Sequence, residues 1–404
     1  MKSRKLTSMA AALVLAAAVL ISGCGIAAGA ENSNAYIIEN TEAGSSAVST
    51  TEAAEAEKNT SSSGESDLFT ERDLAQASDL SEAKAITVAD GEMVTISEAG
   101  VYVLTGSAEN ACVVVEAGDD DKVQLVLDGV SITNGDQPCI LVENADKVFI
   151  TSAEGSENTL TVSGKFSGDN DAAIFARDDL VLNGLGTVTV SSPKDGIRSN
   201  DDLKLTGGTW IVSASKNALK AHGGIYAIDG VYEIQAGSDG LHAEDNDDDT
   251  AGEIVILGGS FTIQAGDDGV HATTAVTVEG GTIAVTAAEG IEATQVIIND
   301  GTVNIKATDD GINAGQKSKA LSIKIEINGG EITIAMGSGD TDAVDSNGDL
   351  IITGGTIDIT AQSPFDYDGS CSHTGGTIIV NGTQTDSVTN QMMGGQFGGM
   401  KGKH

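Results

Sequence analysis

Residues 195–212 read Asp195-Gly196-Ile197-Arg198-Ser199, then Leu203-Lys204-Leu205, then Gly207-Gly208-Thr209-Trp210-Ile211-Val212. The same frame returns at Asn217, Asp239, Asp268, Glu289, Asp310 and Asp342, in steps of 22, 22, 29, 21, 21 and 32 residues. Two steps are long because of insertions, at 244–253 and 316–322. Each unit holds three short stretches whose apolar residues alternate with polar ones: Gly-Ile-x-Ala, apolar-x-apolar, and the run after Gly-Gly-Thr. Alternation with period two is the mark of a half-buried strand. Three strands and three turns in about 21–22 residues predict one rung of a right-handed parallel β-helix, an all-β solenoid. Equivalent apolar positions then stack from rung to rung, and isolated rungs would not fold.

This register assigns Trp210, Tyr232, Phe261, Ile283, Val303, Ile332 and Ile357 to one inward column. The one tryptophan is therefore expected in the core, not on a sugar-stacking surface. Cys112 and Cys139 hold equivalent positions in consecutive units and are expected to stack as buried free thiols. Parallel side chains give poor disulfide geometry.

Outside the repeats the chain changes character. Lys2, Arg4 and Lys5 precede an apolar run from Leu6 to Ile21, which ends Ile21-Ser22-Gly23-Cys24. That is a signal peptide with a lipobox, so residues 1–24 are read as a lipoprotein signal and Cys24 as the lipidated residue. Residues 25–78 are rich in Ala, Ser, Thr and Glu and are expected to form a disordered linker. The repeat domain is placed at 79–390, and 391–404 is read as a Gly/Met-rich disordered tail. The expected location is the bacterial cell surface, held by lipid alone.

Sixty acidic residues against 21 basic ones give a net charge of −39. Such a field repels nucleic acid and anionic headgroups and leaves divalent cations and neutral polymers as natural partners. The leading acid of each unit is the informative residue. Stacking sets these carboxylates about 5 Å apart, where a pair repels by roughly 3 kcal/mol at an effective dielectric of 20. Ca2+, which takes six to eight oxygen ligands, offsets that repulsion. The candidate ligands are Asp239, Asp268, Glu289, Asp310 and Asp342, with Asp267 and Asp309 beside them. Glu244, Asp245, Asp247 and Asp249 of the first insertion have the alternate spacing of calcium loops. The competing reading is that an acid at a turn simply bonds to backbone.

Three residues beyond each leading acid lie Arg198, Lys220, His242 and His271, with His222 close by. They form a basic stripe, expected to face solvent and to contact glycan.

The Asp-Gly-Ile-x-Ala and Gly-Gly-Thr-x-x-Ile motifs, the lead-in Tyr102–Ser107 and the His242–Asp245 stretch resemble a family of bacterial carbohydrate-binding β-helix proteins. The resemblance runs from about Ile86 to Asn381. It implies a pectate-lyase-like fold, calcium on the helix, and cellulose-like or pectic polysaccharide as partner, for a monomeric protein. Asp239, Asp268 and the Asp245–Asp249 loop are the calcium positions it favours. The Trp-Ile-Asp-His signature of the main pectate lyases is absent, because Trp210-Ile211 continues into Val212. Binding without catalysis is thus the leading expectation. A calcium-dependent polysaccharide lyase, with Arg198 or Lys220 as base, and a structural adhesin are the alternatives.

Overall fold

The computed structural model describes residues 68–338 and 341–390. Cys24, the signal segment, the linker up to residue 67 and the tail from 391 lie outside them. Every element among the described residues is a β-strand. The strands form one sheet of 22 and one of 12.

The pairing follows the sequence repeat. In the smaller sheet, Asp195–Ser199 pairs with Leu219–Ala221, then Leu241–Ala243, Asp268–Ala272 and Glu289–Ala293. Ile312–Ala314, Val344–Ser346 and Asp366–Tyr367 complete that ladder. The larger sheet contains two more ladders. One runs through Ala275–Val278, Gln295–Ile298, Lys324–Ile327 and Asp349–Ile352. The other runs through Thr282–Ala287, Thr302–Ala307, Glu331–Met336 and Thr356–Thr360. From residue 241 onward each strand thus pairs with the third strand after it. All these pairs are parallel. The antiparallel exception is a closing hairpin, Thr377–Val380 with Thr383–Thr385.

The turn between the second and third strands explains the Gly-Gly signal. The second glycine lies at positive φ: 80° at Gly208, 83° at Gly281 and 83° at Gly330. An L-residue with a side chain reaches that region only with strain.

The core is the stack of inward columns. Trp210, Tyr232, Phe261, Ile283, Val303, Ile332 and Ile357 are all buried in register, as the alternation requires. Tyr232 and Phe261 stack at 4.7 Å between ring centroids. The Trp210 indole N–H donates to Gly207 O at 3.0 Å. Cys112 and Cys139 are buried free thiols, and burial pushes both up to about 12.

One expected boundary moves. Residues 68–78 were assigned to the disordered linker, yet they dock onto the larger sheet. Asp73 is fully buried. Its carboxylate lies 3.4 Å from Lys147 Nζ and 3.7 Å from Lys204 Nζ. Arg72 stacks over Phe149 at 4.5 Å. Gln76 Nε2 donates to Thr206 O at 2.6 Å and its Oε1 accepts from Gly184 N at 3.0 Å. Polar anchors far along the chain hold this strap, together with the buried Phe69 ring, which lies under Lys204 Nζ at 5.8 Å.

Candidate functional site

The smaller sheet carries the chemistry on its outer side. Register aligns Phe175, Arg198, Lys220, His242, His271, Glu292, Asn313, Asp345 and Asp366 in one row. The row changes sign along its length. It begins cationic, passes through imidazole, and ends in acids and an amide.

The expected exposure of the basic stripe needs correction. Lys220 is only 7% exposed and His242 8%. These side chains leave the apolar core but pack against one another and against the flanking turns. Arg198 lies over the Phe175 ring at 5.2 Å and pairs with Asp171 at 3.1 Å. Its other guanidinium nitrogen faces His222 Nε2 at 3.1 Å. Burial, then the nearby Arg198 and Lys220 charges, pull His222 below its usual value. Lys220 has no hydrogen-bond partner among the described residues, and burial above all lowers its pKa.

Each histidine is clamped by its own leading acid. His242 Nδ1 meets Asp239 Oδ2 at 2.6 Å and its Nε2 meets Glu244 Oε2 at 3.1 Å. His271 Nδ1 meets Asp268 Oδ2 at 2.7 Å and Glu292 Oε2 at 2.9 Å. The two imidazoles stack at 4.8 Å, the spacing between neighbouring strands. Burial opposes charge on His271, but the two carboxylates outweigh it and hold the imidazole up to about 10. Glu244 is held down to about 2, chiefly by its bond to His242. Lys317, carried in by the second insertion, closes on Glu292 Oε1 at 2.5 Å.

The leading acids prove to have a structural role as well. One carboxylate oxygen, or the Asn217 amide oxygen, accepts the N–H of the equivalent residue one repeat on. The bonds run Asn217 to Asp195, Asp239 to Asn217, Asp268 to Asp239 and Asp342 to Asp310, at 3.1–3.3 Å. Asp195, Asn217, Asp239 and Asp310 are thus backbone caps, which is the alternative the sequence left open for them.

Among the described residues, Asp268, His271 and Glu292 are the one His/Cys/Asp/Glu trio with ligand atoms within 4.8 Å of one another. The trio suits calcium poorly. It offers a nitrogen, and Lys317 already supplies a cation, whereas calcium takes hard oxygens. Asp245, Asp247 and Asp249 are not brought together. Asp247 and Asp249 are exposed, and Asp245 accepts Asp247 N in its own turn. Asp249 instead accepts Lys319 N from the second insertion at 3.1 Å. Asp267 and Asp309 are exposed at the turn edge.

The acidic end of the row offers oxygen ligands without a nitrogen or a lysine among them, although among the described residues no three of its carboxylates converge within 4.8 Å. Glu289, Asp310, Asn313, Asp345, Asp366 and Asp368 present oxygen ligands, and among the described residues no lysine, arginine or histidine ion-pairs with them. Burial first, then neighbouring carboxylates, push Asp310 up to about 6 and Glu289 and Asp345 up to about 7. The Asn313 Oδ1 and Asp366 Oδ1 atoms are buried without a hydrogen-bond partner. Sequence reading named Glu289, Asp310 and Asp342 but missed Asp345, Asp366 and Asp368 as candidate ligands. Asp366 follows Ser363-Pro364-Phe365, which breaks the Gly-Ile-x-Ala frame and hides its place in the row.

The family model described as carbohydrate-binding domain-containing protein matches residues 90–341, more than half of the chain, and the chain belongs to that family. A carbohydrate-binding domain-containing protein of Acetivibrio thermocellus is 35% identical over 128 residues, 30% of this chain and 45% of that one. The match thus spans less than half of that relative. A solved structure of a polysaccharide lyase-like protein from C. thermocellum, a gadolinium derivative, is 30% identical. It aligns with a TM-score of 0.49 over 55% of this chain and 96% of that one.

Proposed function

We propose that the protein binds an acidic polysaccharide along the row of the smaller sheet, assisted by calcium at the row's acidic end. The observation that carries this is the change of sign along the row. Arg198 and Lys220 give uronate carboxylates a cationic end. Glu289, Asp310, Asn313, Asp345 and Asp366 offer oxygens that lack a cation of their own. When bound there, Ca2+ would neutralise the carboxyls and bridge them to a uronate. Family membership supports a polysaccharide ligand. A pectic chain is the ligand this charge pattern favours.

We further read the three ladders as a right-handed parallel β-helix of about 21–22 residues per turn, similar to the pectate lyase fold. Supporting it are the pairing of each strand with the third after it and the inward columns. The lipobox supports export and a lipid anchor at Cys24 on the cell surface. Cys24→Ser should release the protein into the medium, and retention at the membrane would count against the anchor.

The binding test is retention of polygalacturonate by the full chain with and without chelator. Asp345→Asn/Asp366→Asn should weaken binding in calcium and abolish its sensitivity to chelation. Equal binding by parent and variant under both conditions would refute the calcium assignment.

A second reading, β-elimination, is favoured by one observation: Lys220 is buried, unpartnered and lowered in pKa, as a base should be. Incubation with polygalacturonate should then yield ultraviolet-absorbing unsaturated ends. Their absence would leave binding alone.

A further inference from the structure

The larger sheet has a face of the opposite character. In the ladder from Thr187–Ser192 to Glu331–Met336, inward residues are buried and the outward ones are largely open to solvent. The outward positions are mostly Thr, Ser, Gln, Asn and Ala. On this stretch only Glu233, Lys306 and Glu331 are charged, in a chain of net charge −39. Two adjoining depressions of about 290 and 400 Å3 lie on it, sharing Thr262 and Gln264.

The decisive contrast is in hydrogen bonding. The row on the smaller sheet is largely bonded to itself. Here the side chains of Gln235, Thr262, Gln264, Thr286 and Asn304 have no hydrogen-bond partner among the described residues. They are amides and hydroxyls held at fixed spacing, with donors and acceptors both unspent. Seven strands at about 4.8 Å make a strip roughly 30 Å long. A pyranose unit advances by a similar distance, so one chain lying across the strands meets a new set of donors at each step.

We propose that this face is a second glycan site, for a neutral polysaccharide, and that it acts without calcium. An acidic chain would meet no cation here except Lys306. A nucleic acid is excluded by the overall charge. A second copy of this chain is disfavoured because large exposed apolar residues on the face are few, Ile211 and Val231. Strand addition is closed off, since the ladder's backbone is already paired on both sides. The site rests on the carbohydrate reading of the family but not on the acidic row, so either can fail alone.

The test is depletion of the full chain on amorphous cellulose, with soluble polygalacturonate assayed in parallel. The variant is Gln235→Ala/Gln264→Ala/Asn304→Ala, three exposed truncations that leave the inward columns untouched. Loss of three such bonds should weaken cellulose binding by about tenfold or more. Polygalacturonate binding should not change, and chelation should leave cellulose binding intact. Ala284→Arg, which puts a bulky side chain into the second depression, should act like the triple variant. The proposal is overturned if the parent does not bind cellulose, if both variants bind it as the parent does, or if chelation releases it. It also fails if the variants lose both glycans together, which would mean one shared site. Concentration-dependent self-association lost in the triple variant, with cellulose binding kept, would make the face a subunit interface.

Discussion

His271 shows how much a single residue in the row is asked to do. Its imidazole lies within 2.9 Å of two carboxylates, Asp268 and Glu292, each almost buried. Without a cation between them those carboxylates would repel at close range. His271→Gln keeps much of the volume and removes the charge. Removing one partner of a buried ionic cluster costs about 3–5 kcal/mol, and Lys317 on Glu292 reduces this to about 2–4 kcal/mol. The pH dependence has a definite sign. The folded imidazole is held above its unfolded value, so its stabilisation is complete below about pH 6.5 and is lost as pH rises toward about 10. Urea unfolding at several pH values should show that decline in the parent and its loss in His271→Gln. An unchanged stability at pH 6 would refute the clamp. The glycine after the leading acid is a packing requirement of the same kind. A Cβ on Gly290 would strike Gly311 O and the Ile305 side chain.

At the scale of elements, much of the fold was legible and the reason is periodicity. The Asp-Gly-Ile-x-Ala and Gly-Gly-Thr frames recur, and alternation fixes the inward face, so the columns through Trp210 and Leu241 could be placed from sequence. The phase of the outer row was equally legible, but its burial was not. That depends on the insertions, which bring Glu244 to His242 and Lys317 to Glu292. The strap at 68–78 left only a faint signal, the apolar residues Leu68, Phe69 and Leu74, of which Phe69 is buried. The partners of its hydrogen bonds lie 74 to 136 residues away. It caps a buried polar ladder in which Gln124 donates to Thr151, Thr151 to Asn183, and Asn183 to Ala75 O. Asp73→Ala would leave Lys204 without a counter-ion among the described residues, and Lys147 with Asp179 alone. A destabilisation of about 2–4 kcal/mol is expected, because the remaining charges are nearly buried. Chemical denaturation of the full chain measures it, together with faster proteolysis before residue 79. A variant as stable and as protease-resistant as the parent would show that the strap is passive.

Over the whole molecule, the acidic end of the row links pH and stability, and the calcium site proposed there would share that link. Glu289, Asp310 and Asp345 have folded values raised above their unfolded ones, first by burial and then by one another. A carboxyl raised in this way binds protons more tightly in the folded state. The folded chain is therefore favoured at low pH and loses that advantage as pH rises through about 6 to 7. General repulsion from the −39 charge acts in the same direction, so a control is needed. Asp310→Asn/Asp345→Asn removes two of the raised carboxyls with little change in shape. In chelator, the parent's melting temperature should fall between about pH 4.5 and 7.5, and the double variant should fall less. Calcium at the proposed site would bind the ionised form, so its benefit should be largest at the upper end. A site occupied at a hundredfold excess over its Kd adds about 2.7 kcal/mol. The double variant should show little of this gain, at matched ionic strength. If calcium leaves the parent's melting unchanged at neutral pH, the acidic end holds no metal. Its raised carboxyls would then be a cost the stacked ladders carry for another reason.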